Sequence, residues 1–367
     1  MTDFDRKVYC IGGLPFDAVT LKQAARAVDS AIQNQQPCFL STPNLNFMIA
    51  SQSDKAFRDS VINSDLSVAD GMPIILIAKL LKLPFTERVA GSTLFDELGQ
   101  RYPTDRPLKI FFFGGEAGVA ETACEKLSAT HPNFSCAGFI DPGFVSVEAM
   151  SKREYLEKIN QSHADFLVVS LGAKKGQQWI EQNRHQLKVP IFSHLGAVVN
   201  FVAGTVNRSP LMMQKLGLEW LWRIKEEPAL WKRYWGDGRG FLKLLMLQVL
   251  PYAIWMRLSA KKQSGSNLPG PVVDTITDSG TVRLELSGVF ADSDFDCLRS
   301  GFDKVLAAPA DVTIDCRHLE FIDASFVGVT QVFARDLSLQ GKSLKLIKLS
   351  RPLKRVFYWS GAKYLLQ

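Results

Sequence analysis

Two hydrophobic periods alternate along the first 204 residues. Compact apolar runs at residues 7–11, Pro37–Leu40, Leu108–Phe113, Phe166–Leu171 and Ile191–Leu195 are short and give way to small or polar residues, as buried strands do. Leu21–Ile32 is amphipathic at helical spacing, Asn46–Asn63 reads as helical, and Met72–Leu83 is apolar throughout and reads as a buried helix. Ser67-Val68-Ala69 is a brief extended piece ahead of Asp70-Gly71, and a further helix follows Gly114-Gly115-Glu116-Ala117-Gly118. Strands alternating with helices predict an α/β unit over residues 1–204: a mostly parallel sheet with helices on both faces.

The pattern changes over residues 205–260, which hold Trp220, Trp222, Trp231, Trp235 and Trp255. The run 241–256 is strongly apolar but interrupted by Lys243, Gln248 and Pro251, and falls short of the about 20 apolar residues of a spanning helix. Two readings stand. One is an interfacial amphipathic segment with aromatic and basic groups at headgroup level; the other is a buried terminal helix of the same domain. Residues 261–275, with Ser264-Gly265-Ser266-Asn267-Leu268-Pro269-Gly270, read as a linker. Residues 276–367 then carry an independent α/β pattern: strands at Val282–Leu286, Asp311–Asp315 and Leu344–Leu349, and helices at Phe295–Ala307, Phe326–Leu339 and Leu353–Ser360.

Composition sharpens this picture in two places. The chain of 367 residues is long enough for two cored domains, and its formal charge of +6 is unevenly spread. Arg208, Lys215, Arg223, Lys225, Lys232, Arg233, Arg239, Lys243, Arg257, Lys261 and Lys262 are opposed in their segment only by Glu219, Glu226, Glu227 and Asp237. A basic excess among aromatics favours an anionic partner such as phospholipid heads, a diphosphate or nucleic acid. Cys10, Cys38, Cys124, Cys136, Cys297 and Cys316 show no CxxC spacing and read as reduced, structural thiols of a cytosolic protein. The first six residues are too acidic and polar to begin a signal peptide.

Candidate chemistry concentrates at residues 38–94. Thr42-Pro43-Asn44, Asp70-Gly71 and Glu87-Arg88-Val89-Ala90-Gly91 each follow an apolar run, where strand ends meet helix starts and ligands bind in α/β folds. Asp70, a lone carboxylate in such a crevice, suits a general base. Gly114-Gly115 after a strand is either a phosphate-cradling turn or a plain tight turn. Asp292-Ser293-Asp294 reads as a helix cap and not as a metal-binding DxD, and no cluster has metal-ligand spacing. Arg208, Arg223 and Arg233 suit a diphosphate or, equally, anionic lipid.

Several ordered motifs between residues 8 and 240 resemble the WecG/TagA/CpsF glycosyltransferases, family 26: Thr42-Pro43-Asn44, Asp70-Gly71, Glu87-Arg88-Val89 with Gly91, Phe113-Gly114-Gly115, Ala203-Gly204, Arg208-Ser209-Pro210 and 217–223. The resemblance implies a Rossmann-like fold. It also implies metal-independent, inverting transfer from a UDP-sugar to an undecaprenyl-diphosphate-linked sugar in cell-surface polysaccharide synthesis, without a cofactor or nucleic acid. Matched position by position, Asp70 is the expected base and Thr42, Asn44 and Arg88 are expected pocket residues; Gly114, Gly115, Gln177 and Arg208 are further expected substrate-binding residues. Arg223 and Arg233 match arginines of the family's C-terminal appendage, which the resemblance implies closes the site and docks on the cytoplasmic face of the membrane. The family's Gly-x-Pro-Lys-Gln-Glu-x-Trp stands here as 172–179, with Gly176 and Gln177 in place of Gln and Glu. That departure keeps a second reading open, a degenerate transferase acting as a regulatory or binding protein. Phe321-Ile322-Asp323-Ala324-Ser325-Phe326-Val327-Gly328 resembles the signature of STAS domains, which implies a possible protein partner and places Ser325 where some members are phosphorylated.

Overall fold

A computed structural model describes residues 6–263, 271–278, 281–291, 295–308 and 310–366. The expected cap Asp292-Ser293-Asp294 and most of the linker, Ser264–Gly270, lie outside the described residues. The chain opens with a hairpin, β1 (Val8–Ile11) and β2 (Leu14–Asp17), turned by Gly12 and Gly13 at positive φ. The main sheet holds β3 (Cys38–Ser41), β4 (Leu66–Ser67), β5 (Leu108–Gly114), β6 (Phe134–Ile140), β7 (Phe166–Ser170) and β8 (Ile191–His194). Their order is β4-β3-β8-β7-β5-β6, and every pairing is parallel, so all carboxyl ends share one edge.

Period-two alternation explains why both faces are covered. Ile110, Phe112, Phe166 and Val168 point to the layer holding the helices Leu21–Gln33, Gly91–Gly99, Val119–Thr130 and Gly196–Ala203. Phe111, Phe113, Leu167 and Val169 point to the opposite layer, where Phe113 stacks on Trp179 of the helix Ala173–Asn183. Each such side chain, fully removed from water, contributes about 1.5–3 kcal/mol.

The expected helix Asn46–Asn63 is two helices, Leu45–Ser51 and Lys55–Ile62, because the Asp54 carboxylate accepts the Phe57 N–H (3.0 Å) and starts the second. The cysteines depart from the expectation of six thiols: Cys124 and Cys136 are joined as a disulfide, with Cα atoms 5.3 Å apart. Their helix and strand pack together here, which the spacing in sequence does not reveal.

Past Ala203 the chain forms the helices Leu211–Leu216 and Glu219–Glu226 and then one continuous helix from Trp231 to Gln263. That helix contains a π-helical stretch, Leu245–Val249. Pro251 lacks the N–H that an α-turn would use, and the Leu250 N–H reaches back to Leu245. The helix therefore runs into the start of the expected linker. The second sheet begins inside it, with β9 (Val272–Asp278), followed by β10 (Thr281–Phe290), β11 (Asp311–Ile322) and β12 (Leu344–Ile347) in the order β12-β11-β10-β9. The helices Phe295–Leu306, Ala324–Leu339 and Arg351–Trp359 complete this domain. Its core is continuous with that of the β1–β2 hairpin: Tyr9, Cys10, Leu14, Tyr252, Phe326, Val327 and Phe357 belong to one buried cluster.

Candidate active site

The carboxyl edge of the main sheet gathers the strand-end motifs. Thr42 follows β3 and is buried; Gly91 approaches so closely that a β-carbon there would meet the Thr42 methyl at 3.3 Å and Leu195 at 2.5 Å. Asn44 caps the helix Leu45–Ser51 by accepting the Phe47 N–H at 3.2 Å. Asp70 follows β4, and its N–H donates to the Pro43 carbonyl (3.1 Å), tying the two motifs together. Gly71, at φ 155°, turns the chain into the helix Met72–Leu80 beside Asn44. Thr42, Asn44, Asp70 and Gly91 thus form one surface.

The appendage covers that surface. Arg88 donates two hydrogen bonds, both 2.9 Å, to Glu219 of the helix Glu219–Glu226. Gly217, at φ 71°, sits where a β-carbon would meet Met72 at 2.3 Å, so only glycine permits this seat. Asn46 donates to both oxygens of buried Asp237 (3.1 and 3.2 Å), holding the long helix against Leu45–Ser51.

These contacts set the electrostatics of Asp70. Burial pushes its carboxyl up to about 6. Arg88 pulls it back, Glu219 pushes it up, and the Gly91 N–H (3.4 Å from Oδ2) and Arg223 pull it down. Arg223 donates to Glu227 at 2.6 Å through Nη2, while its Nε is buried and unpartnered, a donor aimed at no protein acceptor.

Gly114 ends β5 with a β-carbon position blocked by Leu171 and the Ser170 carbonyl, and Gly115 follows at φ 113°. Gln177 is buried and exchanges hydrogen bonds with Ser41 (3.2 and 2.9 Å), so it supports β3 from below. Arg208 is ion-paired with Asp96 and donates to Thr93 (3.1 Å), beside a cavity of about 190 Å³ that Asp70 does not line. Arg233 lies on the exposed side of the long helix over Tyr234. Ser325 is fully buried, its hydroxyl donating to Asp323, so the folded chain offers no acceptor there. Among the described residues, no group of three or more His, Cys, Asp or Glu side chains could hold a metal ion.

Two features escape sequence reasoning. Glu219, inside the motif 217–223, pairs with Arg88 from 131 residues away, and nothing local in the sequence names that partner. The Gly176 departure is complementary to His194: a β-carbon at 176 would lie 2.4 Å from His194 Nδ1. Burial holds that ring neutral, with its pKa pushed down to about 4, and Nδ1 donates to the Val169 carbonyl at 3.1 Å.

A parallel sheet whose carboxyl edge carries a half-buried carboxylate beneath a packed helix forms the kind of crevice in which α/β proteins bind ligands. The chain belongs to the Glycosyl transferase WecG/TagA/CpsF family, whose sequence pattern matches residues 9–253. A second pattern, Mlab, STAS domain, matches residues 274–367. Among curated proteins, the chain is similar to an N-acetylglucosaminyldiphosphoundecaprenol N-acetyl-beta-D-mannosaminyltransferase of Bacillus subtilis (strain 168). The two are 26% identical over 235 residues, 64% of this chain and 84% of the relative. A protein of the same name from Staphylococcus aureus (strain MW2) is 27% identical over 226 residues, 60% of this chain and 84% of the relative. The chain is a glycosyltransferase with a C-terminal STAS domain.

Proposed function

We propose that this enzyme transfers a sugar from a UDP-sugar to a polyprenyl-diphosphate-linked sugar in the synthesis of a cell-surface polymer. The observation that carries the reading is Asp70: a carboxylate at the sheet's carboxyl edge, raised by burial into the range of a useful base and enclosed by Arg88, Glu219 and Arg223. The names of the relatives support the acceptor class.

In this mechanism an acceptor hydroxyl oxygen attacks the donor's anomeric carbon while Asp70 takes its proton. The bond from that carbon to the diphosphate oxygen breaks, and UDP leaves with the electron pair. One displacement inverts the centre. The negative charge that develops on the diphosphate needs fixed donors, and Arg223, with its unpartnered Nε, and the turn Gly114-Gly115 are the groups assigned to it. Arg233 supplies further positive potential from the lid's outer side. Arg208, engaged with Asp96, holds the lid's entry to the helix Gly91–Gly99.

The site works at a membrane surface in this reading. Among the described residues one helical run, Pro228–Ser259, is long and apolar enough to cross a membrane. Leu244, Val249, Tyr252 and Ala253 on that run are buried against the rest of the protein, and Trp255 stacks on Phe321 at 5.2 Å. A helix committed on one side to protein suits lying in the interface, with the remaining side toward lipid. We place it on the cytoplasmic face, where a nucleotide-sugar donor is available.

The test is transfer by the full-length protein, using a panel of UDP-sugars and a short polyprenyl-diphosphate sugar. Asp70→Asn should leave donor binding largely intact and cut turnover by about 10²–10⁴-fold, the scale of a lost general base. Near-normal turnover removes Asp70 from that role. Absence of transfer from every donor by the wild-type protein favours the regulatory reading.

A further inference from the structure

The strand that delivers Asp70 is held from both domains at once. Arg335, on the STAS helix Ala324–Leu339, is buried and donates from Nη1 to the Ser64 carbonyl at 3.1 Å. Arg6, in the transferase domain, donates to the same carbonyl at 3.0 Å. Arg6 also grips Asp17 with Nε and Nη2 (2.9 and 2.7 Å), and Asp17 accepts the Ser67 N–H at 2.6 Å. Arg299, from a second STAS helix, donates to the Arg6 carbonyl. Ser67 ends β4, three residues before Asp70. On the other side of this segment, the N–H groups of Val68 and Asp70 donate to Ser41 (3.0 Å) and Pro43 (3.1 Å).

Charge-assisted bonds are the stronger kind, and two guanidinium groups converging on one buried carbonyl require compensation nearby. Asp17 supplies it for Arg6, and Asp336 (2.7 Å) for Arg335. Such an arrangement fixes the backbone at Ser64 more tightly than a helix end needs, and the fixed piece leads directly into the base.

We propose that Arg335 is a positioning residue for the transfer reaction: from the STAS domain it sets, through the Ser64 carbonyl and the Arg6–Asp17 pair, the strand that presents Asp70. The STAS domain is then a working part of the catalytic unit. This rests on the reading of Asp70 as the base.

The experiment compares full-length wild type, Arg335→Gln, Arg335→Lys and Asp70→Asn by kcat and KM, by the pH dependence of kcat, and by amide hydrogen exchange over residues 64–70. A misplacement of about 1 Å costs up to ~10²-fold in rate. Arg335→Gln should therefore lower kcat by roughly 10–100-fold with donor KM within about twofold, and move the acid limb of the kcat profile. Arg335→Lys, which keeps a cationic donor, should recover part of the rate. Exchange at Ser67 and Asp70 should quicken in both variants. A folded Arg335→Gln with wild-type kcat, profile and exchange overturns the proposal while leaving Asp70 as base. If Arg335→Gln does not fold, unchanged exchange in Arg335→Lys overturns it. An Asp70→Asn variant with normal turnover instead removes the base reading on which the proposal stands.

Discussion

At the scale of single residues, Asp70 illustrates a conflict between stability and chemistry. Its carboxyl is pushed up to about 6, chiefly by burial, so the folded state holds a proton that the unfolded chain has already released between about pH 4 and pH 6. Stability contributed by this group is therefore lost as pH rises through that window, and at neutral pH its charge is a cost. Asp70→Asn should raise stability at pH 7 by about 1–2 kcal/mol, after discounting for a partly open site, and the gain should vanish below about pH 4. Thermal unfolding at pH 7 and pH 3.5 measures it. Activity should run the opposite way, with wild-type kcat falling about tenfold per pH unit below about 6 as the base is protonated. An acid limb centred near 4 would mean that the bound substrates restore an ordinary carboxylate environment. Asp70 was legible from sequence because it stands in a cluster of small and polar residues after an apolar run. Arg88 and Arg223 were legible through the family resemblance, but the pairing of Arg88 with Glu219 was not, and the burial that raises the pKa arises only when the helix bearing Glu219 is seated.

At the scale of elements, the long helix from Trp231 to Gln263 shows how a local irregularity serves a surface. Its exposed apolar side chains are Trp231, Trp235, Leu242, Met246, Leu247, Ile254 and Leu258. In an uninterrupted α-helix, Ile254 and Leu258 would drift away from the line begun by Trp231 and Trp235. The π-helical stretch Leu245–Val249 inserts about one residue, a phase change of about 100°, and brings them back. Lys232, Arg233, Arg239, Lys243 and Arg257 are exposed on the same helix, the pairing of apolar and basic groups that suits an anionic interface. Leu242→Glu with Met246→Glu should reduce sedimentation with anionic vesicles by at least about tenfold, because two anchors of about 1.5–3 kcal/mol each are lost. Wild-type protein should be released from membranes by alkaline carbonate; retention there would show a spanning helix and defeat the interfacial reading. Sequence periodicity located this segment and most of the strands. It passed over β6, an edge strand whose Ser135-Cys136-Ala137-Gly138 stretch is half exposed and lacks an apolar run, and β2, four residues containing a proline.

At the scale of the whole molecule, the decisive feature is where the two domains touch. A Gly/Ser-rich segment in the sequence suggests independent modules, yet the STAS helix Ala324–Leu339 lies flat on β1. Gly328 is the point of closest approach: a β-carbon there would stand 2.6 Å from the Val8 carbonyl oxygen. Gly361 makes a second such approach, 2.4 Å from the Gly13 nitrogen. The Gly13 N–H donates to Ser360 (2.6 Å), and the Gly13 carbonyl accepts from Gln331 and Tyr364, both at 3.0 Å. Tyr252 and Trp255 of the long helix stack on Trp359 and Phe321 of the STAS domain. The STAS helix bearing Ser325 is thus spent on a partner within its own chain. Glycines at these contacts were visible in the sequence, but their reason is a backbone some three hundred residues away. Shared burial on this scale couples the unfolding of the two parts. Calorimetry of the full chain should give one cooperative transition, where two modules on a loose tether give two. Gly328→Val, which forces atoms into filled space at a cost of about 1–3 kcal/mol or more, should split that transition and lower kcat together. A single transition at the wild-type temperature in Gly328→Val would mean that the interface yields without consequence, and the STAS domain would then be a passenger on the transferase.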